Sequence, residues 1–157
     1  DIGVDPVAAR MILNNEQDTM DIGKALADLL GPGDKLALSG TLGAGKTSLA
    51  RGILQGLGFA EEVPSPTFAI VQPYEPPETR LPVAHVDLYR IEDASELPEL
   101  GLEDILIDGA LIVEWPDRLP ESFWADGLLI ELKILSETTR QLTWTAGPAW
   151  KDRWPLT

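Results

Sequence analysis

The chain has 157 residues, 44% of them hydrophobic, with no cysteine and a formal charge of −14 from 26 acidic against 12 basic side chains. That length suits a single domain over residues 1–157, with 1–10 and 148–157 as peripheral tails. Disulfides and thiolate metal sites are excluded, no run approaches the roughly 18 apolar residues of a membrane span, and the charge repels nucleic acid backbone and anionic lipid, so we expect a cytoplasmic protein that holds neither nucleic acid nor a membrane by itself.

Apolar positions at Met20, Ile22, Ala25, Leu26, Leu29 and Leu30 recur at helical spacing and predict a helix over 17–30, with Asp18 or Thr19 able to cap its start. Gly31-Pro32-Gly33 ends it. Lys35 to Ser39 reads as a short buried strand feeding directly into glycines, and Thr47 to Leu57 as a helix stopped by Gly58. Further strands are expected over 67–72, 83–89, 111–115, 128–135 and 141–145, with a more helical stretch over 95–106 and proline-rich connectors at 63–67 and 73–82. The pattern predicts an α/β, P-loop NTPase-like three-layer fold with a central mixed, largely parallel sheet, its later strands being the candidates for antiparallel pairing.

Gly40-Thr41-Leu42-Gly43-Ala44-Gly45-Lys46-Thr47 satisfies G-x-x-x-x-G-K-[ST] at every fixed position, between a strand and a helix as the motif requires. Glycines allow positive φ and close backbone approach, so successive N–H groups can converge on phosphate oxygens at the positive end of the following helix. Gly43, Ala44, Gly45 and Ser48 are therefore binding candidates; Lys46 supplies a cation for the β- and γ-phosphates, and the Thr47 hydroxyl a ligand for Mg²⁺. Hydrolysis further needs oxygen ligands for the metal and an oriented water. Two apolar strands carry acids at their ends, Asp87 in VAHVD and Glu114 in LIVEW, and parallel pairing would bring both to the edge occupied by the loop. ATP and Mg²⁺ are thus the expected ligands.

Leu42 to Thr47, then Ser65-Pro66-Thr67-Phe68, then His85-Val86-Asp87-Leu88-Tyr89-Arg90, then Glu114-Trp115-Pro116, in that order and spacing, closely resemble the bacterial TsaE (YjeE) family over about Glu16 to Arg140. The resemblance implies an accessory ATPase required for threonylcarbamoyladenosine modification of tRNA, acting with the TsaB and TsaD proteins that carry the transferase chemistry. It also implies that Thr47 and Glu114 lie at Mg²⁺, that Asp87 is the Walker B acid, that Ser65-Pro66-Thr67 is a switch sensing the γ-phosphate, and that Thr19 and Arg140 lie near the nucleotide. Lys46, Asp87, Glu114 and Thr67 form the catalytic set on that reading. Thr41 departs from the family, whose members often carry an acid there; the phosphate cradle is unaffected.

Other readings remain open on the residues alone. A P-loop also begins many small-molecule kinases, although the seven arginines are scattered and form no Arg-rich lid. A GTPase is disfavoured because no Asn-Lys-x-Asp segment occurs, and a non-catalytic nucleotide-binding module is the third possibility. His85, the only histidine, is either a general base or a packed structural residue, and Trp115 either covers the nucleotide or belongs to the core. Residues Ile91 to Asp117 contain nine acids and no base, which makes them a solvated face or a docking surface for a basic partner.

Overall fold

The computed structural model describes residues 3–5, 10–41, 43–61, 71–91, 94–150 and 152–154. Among the described residues eight strands form one sheet: β1 (Gly3–Asp5), β2 (Arg10–Leu13), β3 (Lys35–Gly40), β4 (Val71–Tyr74), β5 (Val83–Asp87), β6 (Ala110–Glu114), β7 (Leu128–Ile134) and β8 (Arg140–Ala146), in the spatial order β1-β2-β8-β7-β3-β6-β5-β4. The central strands β7, β3, β6 and β5 pair in parallel, and the marginal strands pair antiparallel. Strands covered on both faces should be apolar throughout, and every residue of β6 is buried. Alternation sends Leu36, Leu38, Val83, Ile112 and Ile130 into one core cluster, and Ala37, Ala84, Val86, Leu111 and Val113 into a second.

The first cluster is closed by α1 (Glu16–Ala27) and α2 (Lys46–Gly56). The second is closed by α3 (Leu102–Ile105) and by 3-10 turns at Ala94–Leu100, Pro116–Arg118 and Glu121–Trp124. This is the expected three-layer α/β arrangement. The segment expected to be helical over 95–106 is mostly 3-10, with Pro98 inside the turn where it denies the chain an α-helical hydrogen bond. β4 starts at Val71, and residues 62–70, including the start of the strand expected at 67, lie outside the described residues.

Helix α1 starts one residue before the expected boundary because Asn15, and not Asp18 or Thr19, is its cap: the Asp18 N–H donates to Asn15 Oδ1 at 2.8 Å. Its other end is held from a distance, Arg80 donating to the carbonyls of Ala27 and Leu30 at 2.6 and 2.9 Å. The end segments expected as peripheral tails are not wholly so. β1 and Arg10 extend the sheet, while Trp150 and Trp154 are buried in the first core cluster, with Trp154 edge-on to Trp144 at 5.6 Å. Arg153 fixes that segment with a bidentate ion pair to Asp34, at 2.7 and 2.9 Å, and a bond to Leu29 O at 2.8 Å. No periodicity marks this stretch, because its burial depends on two isolated indoles and a remote carboxylate.

Three glycines, Gly23, Gly52 and Gly56, let α1 and α2 approach closely. A Cβ on Gly52 would overlap the Met20 carbonyl, and one on Gly23 would lie 2.5 Å from Leu49 O, so backbone faces backbone across this contact. Overpacking of this kind typically costs about 1–3 kcal/mol. Gly52→Ala is therefore expected to lower the thermal midpoint by several degrees, measured by circular dichroism, despite the better helix propensity of alanine; an unchanged or raised midpoint would show that the helices can separate freely.

Candidate nucleotide site

β3 ends at Gly40 and α2 begins at Lys46, so the turn between them is built where glycine is required: Gly43 and Gly45 have φ of 82° and 109°. The turn is closed by Ala44 N–H donating to Thr41 O at 3.1 Å, and α2 by Leu49 N–H donating to Gly45 O at 2.9 Å; Leu42 lies outside the described residues. No side chain caps α2, and its first turn holds no acid. The N–H groups and positive dipole end at Lys46, Thr47 and Ser48 are therefore left to meet an anion.

Lys46 is 5% exposed. Its Nζ donates to Gly40 O at 2.7 Å and sits 4.0 Å from the centroid of the Trp115 ring. Burial lowers its pKa, while the charges of Glu114, Asp87 and Asp117 push it back up. The cation is thus desolvated and faces three carboxylates, which suits it to exchange a carbonyl for phosphate oxygens.

Those carboxylates arrive by strand register. β6 pairs in parallel with β3 on one side and β5 on the other, setting Glu114 opposite Leu38 and Asp87. Asp87 is half-buried and its Oδ1 accepts the Tyr89 N–H at 2.9 Å. Glu114 is 4% exposed, and its Oε2 accepts a 2.6 Å hydrogen bond from Nε2 of the fully buried His85. Immediately after Glu114 the chain turns sharply. Trp115 has φ of 61°, the only positive value for a non-glycine among the described residues, a conformation costing ~1–2 kcal/mol. Pro116 disfavours the right-handed helical region for its predecessor, and the turn swings the Trp115 ring over Lys46 and against Tyr89, 4.9 Å between centroids. Both residues left open by the sequence therefore touch the charged groups: His85 through Glu114, Trp115 through Lys46.

A cavity of about 300 Å³ lies on another flank of the loop, lined by Gly43, Ala44, Gly45 and Ser48, by Asn15, Glu16 and Thr19 at the start of α1, and by Glu137, Thr138 and Arg140. Arg140 braces the loop from outside: its Nε and Nη2 donate to Ala44 O and Gly43 O at 3.2 and 3.3 Å, and its Nη1 to Ser136 O at 2.9 Å. Thr19 is 2% exposed, with its methyl 3.8 Å from where a Gly45 Cβ would stand. The candidate residues thus divide into two groups about the P-loop: Lys46, Asp87 and Glu114 together, and Thr19, Gly43, Ala44, Gly45, Ser48 and Arg140 around the cavity. Thr47 is half-buried in the first turn of α2. Thr67 and its Ser-Pro segment lie outside the described residues.

Asp117, Asn15 and Glu137 were not legible as site residues. Asn15 carries a capping signal, but Asp117 and Glu137 sit in turns whose direction depends on the tertiary fold. Among the described residues no group of three or more His, Cys, Asp or Glu is arranged to hold a metal, and no helix is long and apolar enough to cross a membrane. Two carboxylates on adjacent strand ends facing the P-loop lysine nevertheless fit Mg²⁺, which keeps several waters and relies on one or two carboxylates plus substrate phosphates.

Comparison with known proteins places this geometry among relatives. The family model described as "Threonylcarbamoyl adenosine biosynthesis protein TsaE" matches residues 13–142. A protein named "tRNA threonylcarbamoyladenosine biosynthesis protein TsaE" from Bacillus subtilis (strain 168) is 40% identical over 133 residues, covering 84% of this chain and 82% of its own length. One of the same name from Mycobacterium tuberculosis (strain ATCC 25618 / H37Rv) is 37% identical over 139 residues, covering 83% of each chain. The crystal structure of YdiB from Bacillus subtilis superposes with a TM-score of 0.68 at 32% identity, covering 87% of this chain and 84% of that one. On a match spanning most of the chain, and on relatives well above 30% identity, the chain belongs to the TsaE family.

Proposed function

We propose that this protein is a cytoplasmic Mg²⁺-dependent ATPase serving threonylcarbamoyladenosine modification of tRNA, acting with TsaB and TsaD. The observation that carries the reading is the meeting of the P-loop lysine with Asp87 and Glu114 at the ends of adjacent parallel strands. Family membership supplies the pathway; the site supplies the chemistry.

The N–H groups from Gly43 to Ser48 bind the phosphates, and Lys46 leaves Gly40 O to reach the β- and γ-oxygens. Thr47, Asp87 and Glu114 are the residues that would hold Mg²⁺. The metal, when bound, neutralises phosphate charge and so favours attack at the γ-phosphorus. Asp87 and Glu114 further orient the attacking water, and the half-buried Trp115 ring shields Lys46. The cavity beside Thr19 and Arg140 offers the nucleoside a place on the flank away from the carboxylates. Thr67, with Ser65 and Pro66, is assigned as the γ-phosphate switch on family grounds alone.

The kinase alternative is weaker. Arg80, Arg140 and Arg153 are each committed to main-chain carbonyls in the body of the fold, which removes them from any mobile lid. Single-turnover assays with labelled ATP separate the readings: phosphate released to water supports the ATPase, phosphate on an acceptor the kinase, and neither a binding module.

The charge of −14 argues against a direct grip on tRNA by this chain. Part of the acidic stretch is internal, since Ala110–Glu114 is a buried strand, but Glu96, Glu99 and Glu103 are exposed. They lie on the segment between the two strands that carry Asp87 and Glu114 and suit a basic partner surface.

Lys46→Ala is expected to lower turnover about 100-fold or more, the scale of removing one preorganised charge-stabilising group, without loss of the folded state; wild-type turnover would overturn the P-loop assignment. Asp87→Ala and Glu114→Ala should each cut turnover more than ATP affinity, and their combined loss should fall short of the product of the single losses, as measured by steady-state kinetics and calorimetry. A fully multiplicative loss would place the two carboxylates in separate roles. Changing Glu96, Glu99 and Glu103 to Gln should slow association with a TsaB and TsaD assembly and flatten its salt dependence, followed by stopped flow. Unaltered association at low salt would make the surface an ordinary solvated face.

A further inference from the structure

Glu114 and His85 are 4% and 0% exposed, so bulk water cannot orient either. In the parallel register His85 lies opposite Ile112 and Asp87 opposite Glu114, which puts His85 one pleat repeat behind Asp87 on the same sheet face. The Glu114 side chain leans back across that repeat until Oε2 lies 2.6 Å from His85 Nε2. A carboxylate only accepts, so Nε2 carries the hydrogen of this bond. The other ring nitrogen, Nδ1, is buried with no hydrogen-bond partner among the described residues. The polar function of this imidazole is therefore concentrated in a single contact, to one oxygen of one carboxylate.

Among the described residues no other hydrogen bond reaches the Glu114 carboxylate, so this contact fixes its rotation. The terminal torsion of a glutamate is broad and roughly two-fold, so a hydrogen bond to one oxygen is what selects its rotation. We propose that His85 is a positioning residue: by holding Oε2 it presents Oε1 of Glu114 in one orientation to the Mg²⁺ and water position beside Lys46. The proposal rests on the Mg-ATP reading above and adds to it a residue that touches neither nucleotide nor metal. Hydrogen bonds made to ligating carboxylates commonly alter metal affinity in this way. A merely packed histidine would contribute to stability and leave the metal dependence alone.

The test is calorimetric titration of a non-hydrolysable ATP analogue in EDTA and at graded Mg²⁺ concentrations, with thermal melting as a control for folding. His85→Leu is expected to weaken the apparent Mg²⁺ affinity of the analogue-bound protein about 10–100-fold while leaving analogue affinity in EDTA within about twofold. His85→Gln, whose amide nitrogen reaches the place of Nε2, should restore most of the loss. His85→Asn, whose nitrogen stops near the place of Nδ1, should not. In a Glu114→Gln background the His85→Leu change should add little, because the group it positions is already gone. Unchanged Mg²⁺ affinity in a folded His85→Leu protein, identical behaviour of the Gln and Asn variants, or full multiplication with Glu114→Gln would each overturn the proposal. Should His85→Leu fail to fold, the contrast between Gln and Asn decides. If Glu114→Gln alone leaves Mg²⁺ affinity unchanged, the metal role of Glu114 falls and the positioning role with it; if only the His85 variants are silent, the positioning role alone falls.

Discussion

The in-step pairing of β6 with β3 and β5 is the constraint on which the site depends. Because the three strands run parallel and end together, Glu114, Asp87 and the exit into the P-loop share one sheet edge, as ligand sites of open α/β sheets do. A shift of one residue between β5 and β6 would turn Asp87 or Glu114 to the opposite face. The apolar runs on both faces forbid such a slip, since it would drive His85 and Glu114 into the second core cluster. The hydrophobic core therefore sets the electrostatics of the site: it holds carboxylates near a cation whose pKa burial lowers and those charges raise.

Around that edge the protein spends structural constraint in two places. Trp115 occupies a left-handed conformation that only glycine adopts readily, and this places an indole face on Lys46. The ring and the Gly40 carbonyl together partner the buried ammonium. On the outer flank, the contact between α1 and α2 is close enough that Gly23 and Gly52 have no room for a side chain. It positions Thr19 against Gly45, while Arg140 ties the carbonyls of the loop to the β7–β8 connection. A phosphate cradle made of glycine has little stiffness of its own; here the stiffness is supplied by neighbours on both sides.

The acidic character of the chain takes on different meanings once its residues are placed. Glu114, Asp87 and Asp117 act on Lys46, whereas Glu96, Glu99 and Glu103 are exposed on the connection between β5 and β6. Both sets belong to the same polypeptide path.

Much of this was legible without coordinates, and for definite reasons. The P-loop announces itself because its glycines, lysine and threonine must be neighbours in the chain to surround one phosphate group, so its chemistry is local. Asp87 and Glu114 were legible because buried parallel strands read as apolar runs and an acid at the end of one stands out. Helix α1 was legible by its period, though its cap Asn15 was misplaced by three or four residues, since several capping side chains crowd its start. What remained hidden depends on residues far apart in sequence: the bond of His85 to Glu114, the stacking of Trp115 on Lys46, the grip of Arg140 on the loop, and the burial of Trp150 and Trp154. Local pattern determines which segments become strand, loop and helix; which side chains then meet is decided by strand register and helix approach, and these exist only in the folded chain.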